Sequence, residues 1–216
     1  MRSLSPQHMF EQMALAHRPK YAFDGRSKED FEKWKAAALP EVMATLGDFP
    51  GKVPANAELS AEWEHDGLLK QRWLIDVGPF ASAAFQINMP RGLRVGEKRP
   101  AILCWHGHGQ FGKEPVMGND SSPEMRDAIH RMNYNYGHQM AKEGYVTFAI
   151  DWMGMGQRCD SRKPHYRSNN FGRDWCNLYY LHATMLGMTS ISINVAHGMA
   201  ATDFACTLPH VDPDRL

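Results

Sequence analysis

The segment AILCWHGHGQFG at 101–112 holds the residues best suited to chemistry: His106 and His108 alternate with Gly107 and Gly109, and Gly112 follows. Three chemistries fit. Phosphate binding uses a glycine-rich turn and a lysine, and Gly107, four residues, Gly112 and Lys113 give most of that pattern. It fails at Glu114, where a hydroxyl should reach Mg²⁺, and Pro115 argues against a helix starting there. Metal binding uses convergent imidazoles: in an extended segment His106 and His108 face the same side, with Asp151, His130 or His138 as further ligands. Neither an H-x-H-x-D-H nor an H-E-x-x-H pattern accompanies the pair, and 11 histidines make a chance pair easy, so no metal or other cofactor is expected. Acyl transfer uses backbone N–H groups aimed where a carbonyl oxygen becomes negative, which a glycine-rich turn at a strand end supplies. A second glycine-bearing segment, DWMGMGQR at 151–158, adds Asp151, Gly154, Gly156 and Arg158. Asp151 reads as a turn carboxylate satisfied by local N–H groups or by Arg158, rather than as a catalytic acid.

Both segments need rails to hold them. Residues 101–105 are mainly apolar and read as a short buried strand, as do residues 145–150. Between them Ser122 and Pro123 suit a helix N-terminus, and Met125, Ile129, Met132, Tyr136 and Met140 form an apolar stripe, so one helix is expected to run to Glu143, weakened at Gly137. Strand, helix, strand of this length makes a crossover between parallel strands, with both glycine-bearing turns at the carboxyl edge. Upstream, strands at 59–65 and 68–77 flank an Asp66-Gly67 hairpin turn, and a third covers 80–89. The N-terminal region reads as helices at 7–17 and from Ser27 onward, the latter interrupted at Pro40 with a last turn at 42–46. A final helix at 189–208 carries two apolar rows, Ile191, Val195 and Met199 beside Ile193, Ala196, Ala200 and Phe204. The expected architecture is α/β: a mixed sheet with antiparallel first strands and parallel later ones, flanked by helices. Residues 1–58 form an N-terminal helical segment packed on the core, and 59–216 the core itself with a loop or lid insertion at about 157–188.

Lys plus Arg equals Asp plus Glu at 24 each, so no global field recruits nucleic acid or an anionic membrane. Arg158, Arg162, Lys163 and Arg167 are spread through a polar loop and read as a solvated face. No apolar run is long enough to span a bilayer, and residues 1–20 lack the apolar core of a signal peptide. Four cysteines without C-x-x-C spacing suit a reducing compartment, so a cytoplasmic protein is expected.

Taken together, strand-HGHGQFG, the AKEGY helix end, strand-DWMGMGQR and the terminal HVDPDRL resemble the first half of an α/β-hydrolase, most similar to the dienelactone hydrolase and acetyl xylan esterase-like branch. The resemblance implies a carboxylic ester hydrolase acting on a small ester, lactone or acetylated carbohydrate. It assigns the backbone N–H of His108 to the oxyanion hole, with His106, Gly107 and Gly109 supporting that turn. Asp151, Gly154, Gly156 and Arg158 then shape the neighbouring loop. Trp152, Trp175, Tyr179 and Tyr180 either wall the substrate pocket or pack structurally. In that branch D-P-D-R leads to a G-x-S-x-G nucleophile elbow, which residues 1–216 do not contain. The expectation is therefore an N-terminal portion ending just before the elbow, inactive alone, with nucleophile, acid and base elsewhere. A catalytically inactive fragment or a binding or structural remnant is the alternative, and a metal-dependent hydrolase through His106 and His108 a further one. Ending at Leu216 leaves an edge of the 101–105 strand open, so a complementary C-terminal polypeptide or a homo-oligomer is expected to cover it.

Overall fold

The computed structural model describes residues 4–109, 111–160 and 175–216, which fall into two compact units, Met1–Leu46 and Gly47–Leu216. Arg162, Lys163 and Arg167, with the 161–174 part of the expected insertion, lie outside the described residues.

The first unit has two helices, α1 (Pro6–Ala16) and α2 (Lys28–Leu46). Ser5 caps α1 by accepting from the His8 N–H, and Pro6 occupies the first turn, where its missing N–H costs nothing. At α2 the Asp30 N–H donates to Ser27 Oγ while Asp30 Oδ2 accepts from the Ser27 N–H, a reciprocal cap. Contrary to the sequence expectation, Pro40 does not interrupt α2 but sits inside it. The exposed helix continues around the one amide hydrogen bond that proline removes.

The second unit is built on five strands, β1 (Glu58–His65), β2 (Leu68–Gly78), β3 (Ala81–Pro90), β4 (Ala101–Leu103) and β5 (Val146–Ala149), in the order β1-β2-β3-β5-β4. The pairs β1–β2, β2–β3 and β3–β5 are antiparallel, and β4–β5 is parallel. The mixed sheet of the sequence reading is present. Asp66 and Gly67, both at positive φ (49° and 74°), make the β1–β2 turn, as the Asp-Gly pair predicts. The 210–215 segment runs along the outer edge of β4: the Arg99 N–H donates to His210 O, the Asp212 N–H to Arg99 O, and the Ala101 N–H to Arg215 O. The edge expected to be open is therefore already paired over Arg99 and Ala101.

One face of the sheet packs on α7 (Ser190–Thr207), where Phe85 stacks on Phe148 at 5.6 Å and meets the Phe204 edge at 5.0 Å. The buried row of α7 is Ser192, His197, Gly198, Ala201, Phe204 and Ala205. The row Ile191, Val195 and Met199, expected to be core, instead faces outward. The opposite face carries α3 (Lys113–Val116) and α5 (Tyr136–Lys142), which enclose Cys104, Val116, Met117 and Ala149. The single helix expected between β4 and β5 is two, α4 (Pro123–Met132) and α5, because Asn133 turns left-handed (φ 50°) and caps α4. The break is not at Gly137, which lies inside α5 where a Cβ would press on Met117, the Val116 carbonyl and Cys104. A short helix does begin at Lys113 despite Pro115, whose third-residue position lies in the first turn, where no amide is needed. The last helix, α6 (Trp175–Met185), precedes α7.

Candidate active site

β4 and β5 deliver their carboxyl ends side by side, so the turn after Trp105 and the loop after Ile150 meet. His106 is buried beneath that junction. Its Nε2 accepts the Trp152 N–H at 2.9 Å, so its hydrogen must sit on Nδ1, which donates to the Gly107 carbonyl at 2.8 Å. Burial lowers its pKa below the ordinary histidine value, consistent with a neutral ring. Asp151 Oδ1 lies 3.8 Å from Nε2, but that nitrogen already accepts a hydrogen bond, so the contact is not an ion pair. Trp152 is tied in twice more, stacking on Trp105 at 4.0 Å and donating through Nε1 to the His106 carbonyl at 3.0 Å.

Asp151 is the second tie. Its Oδ1 accepts the Lys113 N–H at 2.8 Å, and its Oδ2 accepts the Gln157 N–H at 3.0 Å and the Lys113 ammonium at 2.8 Å. The completely buried Lys113 also donates to Gln157 Oε1 at 2.7 Å and Glu114 Oε1 at 3.4 Å. One carboxylate and one ammonium thus bolt the first turn to the second. The space is made by glycines: a Cβ on Gly112 (φ 54°) would stand 2.1 Å from Asp151 Oδ1, and one on Gly156 (φ 51°) 2.5 Å from the same atom.

The second loop is gripped from behind by α7. The Met153 N–H donates to Asn194 Oδ1 at 3.0 Å, and Arg158 donates to His197 Nδ1 at 3.0 Å and to the Asp151 carbonyl at 3.1 Å. Burial draws the Arg158 pKa down to about 10, and burial with the facing guanidinium takes His197 down to about 3. Gly198 leaves room for the Trp105 ring, which a Cβ there would strike at 2.1 Å.

Residues 1–204 match the profile of the abhydrolase family. The chain belongs to that family. No curated protein matches it. Among solved structures, this abhydrolase chain is similar to a provisionally assigned acetyl xylan esterase from Bacteroides fragilis (22% identity, TM-score 0.75), covering 99% of this chain and 53% of that one. A second is acetyl xylan esterase 1 from a Thermoanaerobacterium species (15% identity, TM-score 0.49), covering 99% and 54%. The abhydrolase chain spans about half the length of these structures. The fold is thus that of the α/β-hydrolases.

Within the abhydrolase chain the two segments meet through His106, which accepts from Trp152, and through Gly112 and Lys113, which close on Asp151 beside Gly156; Gly107, His108 and Gly109 follow His106 in the first turn, and Gly154 and Arg158 belong to the second loop. Trp175 and Tyr179 stack at 5.4 Å and lie on Gly154, and Tyr179 donates to Asp160 at 2.8 Å, while Tyr180 is exposed. Asp151 accepts one local N–H, that of Gln157, but its other N–H and its cation both come from the distant Lys113, and Arg158 binds its carbonyl instead. Arg158 is correspondingly not on a solvated face. The phosphate-like Gly112-Lys113 pair is explained by the same bolt, since the ammonium is spent on Asp151 and Gln157. His130 and His138 are not near this junction in the bonding pattern: His138 bridges Lys70 and Asp66. Among the described residues no group of three or more metal-ligating side chains converges. Sequence reasoning missed Lys113 as a bolt, and missed Tyr134, Asn194, His197 and Gly198. The last three share the inward row of α7, where a histidine, a glycine and an asparagine interrupt an apolar helix.

Proposed function

We propose that the protein is a serine-type carboxylic ester hydrolase and that this chain supplies the oxyanion side of its site. The observation that carries the reading is the bolted pair of turns at the carboxyl ends of β4 and β5, with a neutral, buried His106 supporting a glycine-rich turn instead of serving as a base. In this reading the His108 N–H receives the carbonyl oxygen as it gains charge, and the residue after the nucleophile gives another N–H. Gly107 and Gly109 keep side chains out of the approach, and Asp151, Gly154, Gly156 and Arg158 hold the neighbouring loop. The serine, on polypeptide beyond Leu216, attacks the ester carbonyl while a histidine takes its proton. The Ala101-to-Arg215 hydrogen bond supports this placement, since a strand continuing in that register runs parallel to β4 and ends beside the turn. Such a strand, or a second copy, completes the β4 edge. A cleft of about 520 Å³ beside Gly109 and Phe111, with Pro123, Asp127 and Ala128 opposite, is the space for the substrate. The similarity to structures named for acetyl xylan esterase activity makes an acetylated carbohydrate the first substrate to assay, ahead of a lactone.

A second reading, an inactive hydrolase-fold scaffold, is favoured by one observation: among the described residues no serine hydroxyl is hydrogen-bonded to a histidine ring. The transcript beyond Leu216 separates the two. A G-x-S-x-G within about a dozen residues, with aryl-ester turnover blocked by a serine-directed phosphonate, is the expected result. A longer protein with no such motif and no labelling would leave the scaffold reading in its place.

A further inference from the structure

Gly107 donates its backbone N–H to the Tyr134 hydroxyl at 2.6 Å, and this bond puts a phenol oxygen against the glycine-rich turn. A phenol oxygen accepts there and still carries one hydrogen to donate. Among the described residues the structure gives that hydrogen no acceptor. The tyrosine is held by a rigid corner: Asn133 turns left-handed, the Tyr134 and Tyr136 rings meet edge to face at 5.9 Å, and Tyr136 in turn donates to the Trp105 carbonyl. Position 107 is also shaped for it, since a Cβ would stand 3.0 Å from the hydroxyl.

We infer that the Tyr134 O–H is a catalytic donor to the oxyanion, acting beside the His108 N–H; this rests on the ester-hydrolase reading. Consecutive backbone nitrogens are at most about 3.6 Å apart. With the 2.6 Å bond, the phenol oxygen is therefore within about 6 Å of the His108 nitrogen. Two donors can share one oxygen when each stands about 2.7–3.1 Å from it, which allows a separation of up to about 6 Å. The Gly107 N–H is thereby converted from a direct donor into a polariser: a hydroxyl whose oxygen accepts a hydrogen bond donates more strongly through its own hydrogen. No proton is transferred; the hydroxyl stays intact while negative charge grows on the substrate oxygen and then leaves it.

Acetate, whose carboxylate oxygen imitates the oxyanion, tests this on residues 1–216 without any nucleophile. Titration is followed by the His108 amide shift and the Tyr134 ring carbon that bears oxygen. Both signals are expected to move with one affinity, and Tyr134→Phe to weaken that affinity about 10-fold. Because phenylalanine also strips Gly107 of its acceptor, a second variant carries 3-fluorotyrosine at 134, which keeps the acceptor and strengthens the donor; it is expected to bind acetate several-fold more tightly below its own pKa. A shift at His108 with none at Tyr134, or affinities unchanged in both variants, would overturn the assignment. If acetate moves neither signal, the oxyanion reading of the turn falls and the tyrosine's role with it. In the longer serine-bearing protein Tyr134→Phe should lower kcat about 10²-fold with little change in KM. Joint shifts on acetate in a protein that turns over no ester would instead retain the donor pair and remove the ester-hydrolase reading.

Discussion

Replacing Lys113 with methionine isolates the bolt between the two turns. The substitution keeps most of the side-chain volume, so it opens little cavity, but it removes the only cation hydrogen-bonded to the Asp151 carboxylate among the described residues. Breaking a buried ion pair from one side costs about 3–5 kcal/mol, because a charge is left without its partner. Asp151 keeps the Lys113 and Gln157 N–H groups, which offset part of the loss, so about 3 kcal/mol is expected. For a domain of this size that lowers Tm by about 6–12 °C. Pairing the substitution with Asp151→Asn removes the stranded charge while leaving an oxygen for one N–H, and should restore at least about 1 kcal/mol. Urea unfolding followed by tryptophan fluorescence measures both variants, and near-ultraviolet circular dichroism of the Trp105–Trp152 stack reports the junction itself. A loss below about 1 kcal/mol for Lys113→Met, or a double variant no more stable than the single, would show that the pair does not hold the turns together.

Three further outcomes follow from other groups. Lys70 is buried between the Met117 carbonyl and His138 Nδ1, and burial lowers its pKa from 10.5 to about 8; the unfolded chain then binds the extra proton, so stability rises by about 3 kcal/mol between pH 8 and 10.5 and is lost again as pH falls through that window. Denaturation across that range should give this slope in the parent and a flat profile in Lys70→Met. His197, drawn down from 6.5 to about 3, makes the opposite end sensitive: stability present above pH 6.5 falls by about 4 kcal/mol toward pH 3, and His197→Gln should flatten that acid limb. Gly112→Ala forces a Cβ to 2.1 Å from Asp151 at a positive φ, and a loss of more than about 2 kcal/mol by urea unfolding is expected; a neutral result would mean the Asp151 seat is not rigid.

Much of the sheet was legible because its signals are local. The Asp66-Gly67 turn, the alternating strands either side of it and the two short apolar strands each depend on a few neighbouring residues, and all five strands lie where the pattern places them. Helix faces were less so. Ile191, Val195 and Met199 look like a core row at helical spacing, yet the sheet takes the neighbouring row, because small residues such as Gly198, Ala201 and Ala205 allow closer approach than branched ones. The break between α4 and α5 was hidden in Asn133, whose tolerance of left-handed backbone is a weaker cue than the nearby Gly137. Gly137 proved to be a packing glycine.

The candidate site shows the same division more sharply. Which turn meets which loop was readable from two strand ends, but what joins them was not, because Asp151 and Lys113 are 38 residues apart and neither looks unusual in its own segment. Gly112-Lys113 alone reads as phosphate chemistry, and Asp151 alone as a turn carboxylate. Their combination changes the meaning of both glycines: Gly112 and Gly156 are open not to admit a phosphate but because one carboxylate fills the space between them. A phosphate-binding turn leaves its lysine and N–H groups facing outward to a ligand. Here the lysine and two N–H groups close on Asp151, and in the proposed ester-hydrolase reading the turn then meets its substrate with backbone and hydroxyl donors, the arrangement acyl transfer uses.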